Sequence, residues 1–343
     1  MRKAVSVVFL ITMILICITR PVLAAQSDAD AITAVILERH LPTGVIMDPI
    51  FASPTSDQIV NYTRGGDAAI WTGHFLAAEA FEYKVTGSAD AMNNVQTALN
   101  GIRSLRLVTG SNVLARDVYP TNWQYASDIN TQEAANGIFN GTIDGADYYW
   151  VGNTSRDEYC GVFFGLGVAY DMVDDPAVQS FIQTEVTELL DFLLKTAWTV
   201  VMPNGSISTS FLARPDEQLS ILAVGAHVNP AQFTSTYQSY RGKFSLLLAI
   251  PIGVDCADVN SSYFKFNLDE ICFYNLIRLE TSSKYAKRYL AAYMILRNTL
   301  QNNGNAHFNM IDRGLRGANS TRDAQTVTLL SQWLERPQRD PFV

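Results

Sequence analysis

Carboxylates recur at the openings of helical segments along this chain, and carboxylates are the groups that acid–base work on a glycosidic bond requires. Asp67-Ala68-Ala69-Ile70, Asp157-Glu158-Tyr159-Cys160, Asp216-Glu217-Gln218-Leu219, Asp269-Glu270-Ile271-Cys272 and Asp323-Ala324-Gln325-Thr326 follow one another at spacings of 90, 59, 53 and 54 residues. Two openings carry more than an acid. Asp67 has Arg64 before it and Trp71 and His74 four and seven residues after it, on or near one helical face. Asp157 follows Tyr148-Tyr149-Trp150 and Arg156, with Glu158 and Tyr159 directly after it. A carboxylate beside a titratable ring and an aromatic wall is suited to a saccharide. Crowded acids raise one another's pKa values, leaving an acid and a base at neutral pH.

The candidate catalytic set is therefore Asp67 and Asp157, with Glu158, His74 and Tyr159 as the nearest substitutes. Trp71, Tyr149 and Trp150 would stack on sugar rings. Arg64 and Arg156 would grip an anionic group such as a uronate, with Arg214, Asp216 and Asp269 completing the binding set. A simpler reading competes at each position. Acids in a first helical turn gain about 0.3–1 kcal/mol from the macrodipole. Ser155-Arg156-Asp157-Glu158 and Asn267-Leu268-Asp269-Glu270 fit capping boxes, Arg214-Pro215 puts proline at a first helical position, and the arginines can serve as local salt bridges. Capping leads for Asp216, Glu217, Asp269, Glu270 and Asp323, and chemistry leads for Asp67 and Asp157. Cys160 and Cys272, each three residues after an acid, read as small buried hydrophobes or as a thiol pair. The cysteines lack zinc spacing and the histidines at 40, 74, 227 and 307 are scattered, so no metal and no cofactor is expected. His307, in a Gly/Asn-rich stretch, reads as exposed.

The elements that must position these groups are helical. Apolar residues recur at three- and four-residue intervals over 67–85, 90–108, 157–173, 176–201, 216–228, 231–250, 268–280, 282–303 and 322–335, with a shorter run at 28–41. Strand-like alternation is scarce, which makes the chain all-α. The acid-opened helices are rich in Gly, Ala, Cys and aromatics, while their partners carry one polar face. Such alternation predicts an (α/α) toroid of five or six helical hairpins, with an inner ring of parallel helices whose N-termini meet at one end. The long first spacing holds an insert at 111–156, dense in Tyr and Trp, which should lie over that end as a lid.

Of 343 residues, 48% are hydrophobic and 17% charged, which is enough apolar material for a large core. The net charge of −8 excludes nucleic-acid binding through a basic face. Arg2 and Lys3, the apolar run Ala4 to Ile18 and the small residues around Ala24 form an export signal over residues 1–25, an uncleaved anchor being the alternative. Residues 26–343 then form a single domain, exported to the periplasm or beyond, with no stable membrane insertion.

Asp67-Ala68-Ala69-Ile70-Trp71-Thr72-Gly73, the helix end Tyr83-Lys84-Val85-Thr86-Gly87, Leu114-Ala115-Arg116, Thr154-Ser155-Arg156-Asp157-Glu158-Tyr159 and Tyr170-Asp171-Met172-Val173-Asp174 resemble segments of a group of exported bacterial proteins. Those proteins are similar to the (α/α)-toroid, six-hairpin-glycosidase-like class, and the resemblance spans about residues 60–335. It implies the toroid fold. Toroids of this class commonly host glycoside hydrolases and polysaccharide lyases with carboxylates at the mouth of the inner ring, and others process isoprenoids. The function expected is a carbohydrate-active enzyme of hydrolase or lyase type. The alternatives are an isoprenoid-type dehydratase or isomerase and a non-catalytic glycan- or partner-binding toroid.

Overall fold

In the computed structural model, residues 25–258 and 262–335 are described; the export signal expected over 1–25 lies, apart from Ala25, outside them. The described chain is mostly helical, with thirteen α-helices and three small antiparallel sheets. Helix α1 (Gln26–Val35) leads into the hairpin β1 (Asp48–Phe51) and β2 (Ile59–Thr63). Then come α2 (Ala68–Thr86) and α3 (Ala89–Leu107), and the insert with β3 (Asp117–Pro120), α4 (Ala126–Gln132), β4 (Ile138–Ile143) and β5 (Ala146–Val151). Helices α5 (Arg156–Met172) and α6 (Pro176–Lys195) precede the hairpin β6 (Thr199–Val201) and β7 (Ile207–Ser210). The remainder is α7 (Pro215–Val228), α8 (Pro230–Phe244), α9 (Ala249–Ala257), α10 (Tyr263–Arg278), α11 (Ser283–Leu300), α12 (Ala306–Arg316) and α13 (Ser320–Leu334). Among the described residues no helix is long and apolar enough to cross a membrane.

Five consecutive pairs organise the helices: α2 with α3, α5 with α6, α7 with α8, α10 with α11, and α12 with α13. The first members also pack on one another, α2 on α5, α5 on α7, α7 on α10 and α10 on α12. Helix α5 additionally touches α10, and it is buried nearly throughout, from Glu158 to Ala169. Its sequence explains this. Gly161 and Gly165 let α2 approach until backbone meets backbone: a Cβ on Gly73 would stand 2.1 Å from the Gly161 carbonyl oxygen, and one on Gly165 would stand 2.3 Å from that of Gly73. Ile70 and Gly73 of α2 face Gly161 and Gly165 of α5 in the same order, so the two helices run parallel and begin side by side. That juxtaposition brings Asp67 next to Asp157 and Glu158.

Several elements differ from the sequence reading. The 111–156 insert is not irregular: β5 lies between β3 and β4 in one sheet, with Tyr149 opposite Tyr119 and Asn140, and Trp150 opposite Val118 and Phe139. The run 176–201 ends at Lys195, because Ala197 and Trp198 take left-handed φ values of 51° and 63° and turn the chain into β6. Helix α12 was hidden by the Asn/Gly stretch before it; Asn305 caps it by accepting from the Phe308 N–H, and Phe308 and Ile311 bury its inner face. The member of the last pair that packs on α10 is therefore α12, and Asp323 lies in the first turn of its partner, α13. Helix α10 begins at Tyr263, so Asp269 and Glu270 lie in its second turn rather than at its start.

Candidate functional site

Asp67 ends the short 3-10 turn Gly65–Asp67 and precedes the first residue of α2, yet its side chain makes no capping bond. Asp157 and Glu158 lie in the first turn of α5. One carboxylate oxygen from each of the three lies within 4.8 Å of the other two. The expected capping box at Ser155 does not form. Glu158 is fully buried and its Oε2 accepts from the Ile70 N–H at 2.7 Å, satisfying an orphan donor of the neighbouring helix rather than of its own. Ser155 Oγ instead accepts from Arg116 Nη2 at 2.9 Å.

Arg116 is the cation of this centre. Its Nη1 lies 3.4 Å from Glu158 Oε1 and 3.8 Å from Asp67 Oδ1 and also donates to the Gly66 carbonyl, while its Nε donates to Asn153 O at 2.8 Å. One guanidinium against three carboxylates leaves the acids unbalanced. Burial and the charge of Asp157 push the Asp67 carboxyl above its ordinary range, against the pull of Arg116. The same causes raise Glu158 well above its usual value. Chemically this is a set of acids, two of them held toward the neutral form, from which a proton can be given and to which one can be returned. Three hard oxygens so disposed would also suit a hard cation such as Ca²⁺ or Mg²⁺, with Arg116 competing for two of them.

The other candidates divide between this centre and other places. Arg64, in the left-handed region at φ 57°, points outward and lies 3.6 Å from Asp48. Tyr159 is buried in the core, where its hydroxyl accepts from the Leu114 N–H at 3.1 Å and desolvation pushes the phenol pKa up. Trp71 and His74 are half-buried and in ring contact one to two turns below Asp67. The His74 ring lies 5.2 Å from Trp71, 5.3 Å from Phe164 and 5.9 Å from His307. His74 Nδ1 is 3.0 Å from Ile70 O and can only donate there; Nε2 accepts from the Asn267 amide at 3.2 Å. Burial lowers its pKa, so the ring is a neutral one. His307 is half-buried rather than exposed, with its pKa lowered to about 3 by desolvation.

Arg156, Arg214, Asp216 and Asp269 form a second polar centre joined to the first through the start of α5. Arg156 Nε lies 2.8 Å from Glu217 Oε2. Arg214 is nearly enclosed, 2.7 Å from Asp216, 2.7 Å from Asp269 and 3.0 Å from Glu217, and it also pairs with Asp255. Burial outweighs Arg214 and raises Asp216, Asp269 and Glu217, the last to about 8. Asp323 joins neither centre; it pairs with Arg313 and Arg322. The five acids thus do not share one cluster.

Tyr149 and Trp150 do not form one wall. Successive residues of a strand point to opposite faces. Trp150 is in the core, stacked on Phe139 at 4.6 Å, while Tyr149 faces a surface cleft on the insert. Arg116 and Glu217 were the groups that sequence reasoning placed elsewhere or passed over. Arg116 stood in the motif Leu114-Ala115-Arg116, a lone cation after apolar residues, which was the available signal.

No family model matches the chain, and neither a curated protein nor a solved structure does.

Proposed function

We propose that this chain is an exported carbohydrate-active enzyme of the (α/α)-toroid kind, acting by hydrolysis or elimination on a saccharide. The five inner-to-outer helix pairs support the toroid. The observation that carries the chemistry is the trio Asp67, Asp157 and Glu158, drawn from two helix starts, with oxygens inside 4.8 Å. In this reading Asp67, raised by burial and by Asp157, delivers the proton, and Asp157 acts as nucleophile or base. Glu158 positions the start of α2 through Ile70. Oxygens this close favour the retaining arrangement, in which the carboxyl groups stand about 5–5.5 Å apart, over the inverting one at about 6.5–9.5 Å.

The test is a screen of the purified chain against plant, algal and bacterial polysaccharides, following reducing ends and the absorbance of unsaturated uronates. On any substrate found, Asp67→Asn and Asp157→Asn should stay folded and lose about 10²–10⁴-fold in kcat. Full turnover by both variants refutes the assignment. The ring cluster of Trp71, His74, Phe164 and Phe264 favours a second reading, acid–base chemistry on an apolar isoprenoid, because Trp71, His74 and Phe264 are half-buried around a neutral histidine. Loss of turnover of a prenyl substrate in His74→Gln, with Asp157→Asn unaffected, would select that reading.

A further inference from the structure

The 111–156 insert carries a cleft of about 680 Å³, separate from both acidic centres. Its ten lining residues include no charged side chain, in a chain where 17% of residues are charged. Two aromatic rings, Trp123 and Tyr149, border it, and amides and hydroxyls from Asn122, Gln124, Asn130 and Thr131 supply the rest of the wall. Trp123 and Tyr149 are half-buried and each lies 6.2 Å from Tyr119, a fully buried ring that props both from beneath. Trp123 is held further by Tyr62 at 5.3 Å and by Tyr125 at 5.2 Å. The rings are therefore fixed before any ligand arrives, which lowers the ordering cost of binding. Asn130 Oδ1 accepts from the Tyr119 hydroxyl at 2.8 Å, which orients the amide so that its N–H groups remain as donors.

Rigid aromatic faces with neutral donors and acceptors between them match a ligand that has apolar C–H faces, many hydroxyls and no charge. We infer that this cleft is a binding subsite for neutral sugar rings. The inference rests on the saccharide reading of the acidic centre and deepens it. Helix α4 lines the cleft through Ala126, Ser127, Asn130 and Thr131, and the next residue after α4, Glu133, accepts from the Gly66 N–H at 3.2 Å, one residue from Asp67. Seven helical residues span about 10 Å. A chain held in the cleft and extended along α4 would reach the acidic centre, and the substrate is then an oligosaccharide whose distal rings are neutral rather than uronates throughout.

Cello-, xylo-, manno- and chito-hexaose, with oligogalacturonate as the charged counterpart, are titrated into the full chain by calorimetry. The acidic centre is silenced by Asp157→Asn so that binding is read without turnover. At least one neutral hexaose should bind, and Trp123→Ala should weaken it by about tenfold, as expected for loss of one aromatic stack. Because Trp123 also packs on three tyrosines, the exposed pair Asn122→Ala/Gln124→Ala serves as the second variant; it should weaken the same ligand with unchanged circular dichroism. Failure of every neutral hexaose to bind, or binding by both cleft variants at the parent affinity, overturns the inference. Binding through Trp123 by a chain that turns over nothing leaves the subsite standing and removes the enzyme. Turnover of a neutral oligosaccharide with KM unchanged in both cleft variants does the reverse.

Discussion

Replacing Gly73 with alanine should destabilise the protein, although the same change in an open helix would stabilise it. The added methyl would stand 2.1 Å from the Gly161 carbonyl oxygen and 2.9 Å from the Val162 nitrogen, both backbone atoms that cannot swing aside. Ordinary contact begins at 3.4 Å, so α2 and α5 must separate locally by about 1.3 Å, and overpacking of this kind costs about 1–3 kcal/mol. Alanine returns about 1 kcal/mol of helix propensity. With the contact wholly backbone, the upper part of the range applies, and the net loss is about 2 kcal/mol. Gly253→Ala is the internal control: it lies within α9, and its added Cβ meets nothing within 4 Å, so it should gain up to about 1 kcal/mol. Urea denaturation of the three proteins separates the outcomes, and thermal scans should place Gly73→Ala about 4 °C below the parent. Equal or higher stability for Gly73→Ala would refute the claim that α2 and α5 meet backbone to backbone. It would also remove the reason given for the close approach of Asp67 to Asp157.

Glu270 is fully buried, and burial raises its pKa to about 8 against the pull of Arg297. The unfolded chain ionises first, near the ordinary value of about 4.3, so its contribution to stability is full below that pH and is lost as pH rises to about 8. The urea midpoint of Glu270→Gln should therefore fall less between pH 5 and 8 than that of the parent; parallel curves would contradict the assignment. Arg214→Met takes the guanidinium from Asp216, Glu217, Asp255 and Asp269, of which Glu217 keeps Arg156 and Asp255 keeps Lys265. Removing one partner of a buried network costs about 3–5 kcal/mol. The loss should be larger at pH 8 than at pH 5, and a variant as stable as the parent at pH 8 would show that the network is not held by this guanidinium.

Much of the helical organisation was legible because it is written at short range. A 3.6-residue apolar period and the Thr86-Gly87 stop each act within a few residues, and α2, α3, α5 and α7 begin and end close to the runs those signals mark. The same reasoning failed where short-range signals pointed one way and packing the other. Asn305 looked like part of a loop and is a helix cap. The Tyr148-Tyr149-Trp150 run looked like one aromatic wall and is a central strand whose alternation sends Tyr149 to the cleft and Trp150 to the core.

By itself the sequence determined the recurring acids, the glycines and alanines that let the helices pack closely, and the acidic, charge-poor composition of the whole. It could not determine which acids meet. Asp67 and Asp157 are 90 residues apart and bring carboxylate oxygens within 4.8 Å only because α2 and α5 run in parallel at backbone contact; Asp216 and Asp269 meet Arg214 instead, and Asp323 joins neither group. The identity of the central cation was likewise a tertiary matter. Arg64 is nearer to Asp67 in sequence, but its left-handed backbone turns it outward, and Arg116, carried in from the insert, takes the place beside Glu158. Side-chain type and helical period are local properties of the chain, whereas charge pairing depends on distances that only the packing of distant helices sets.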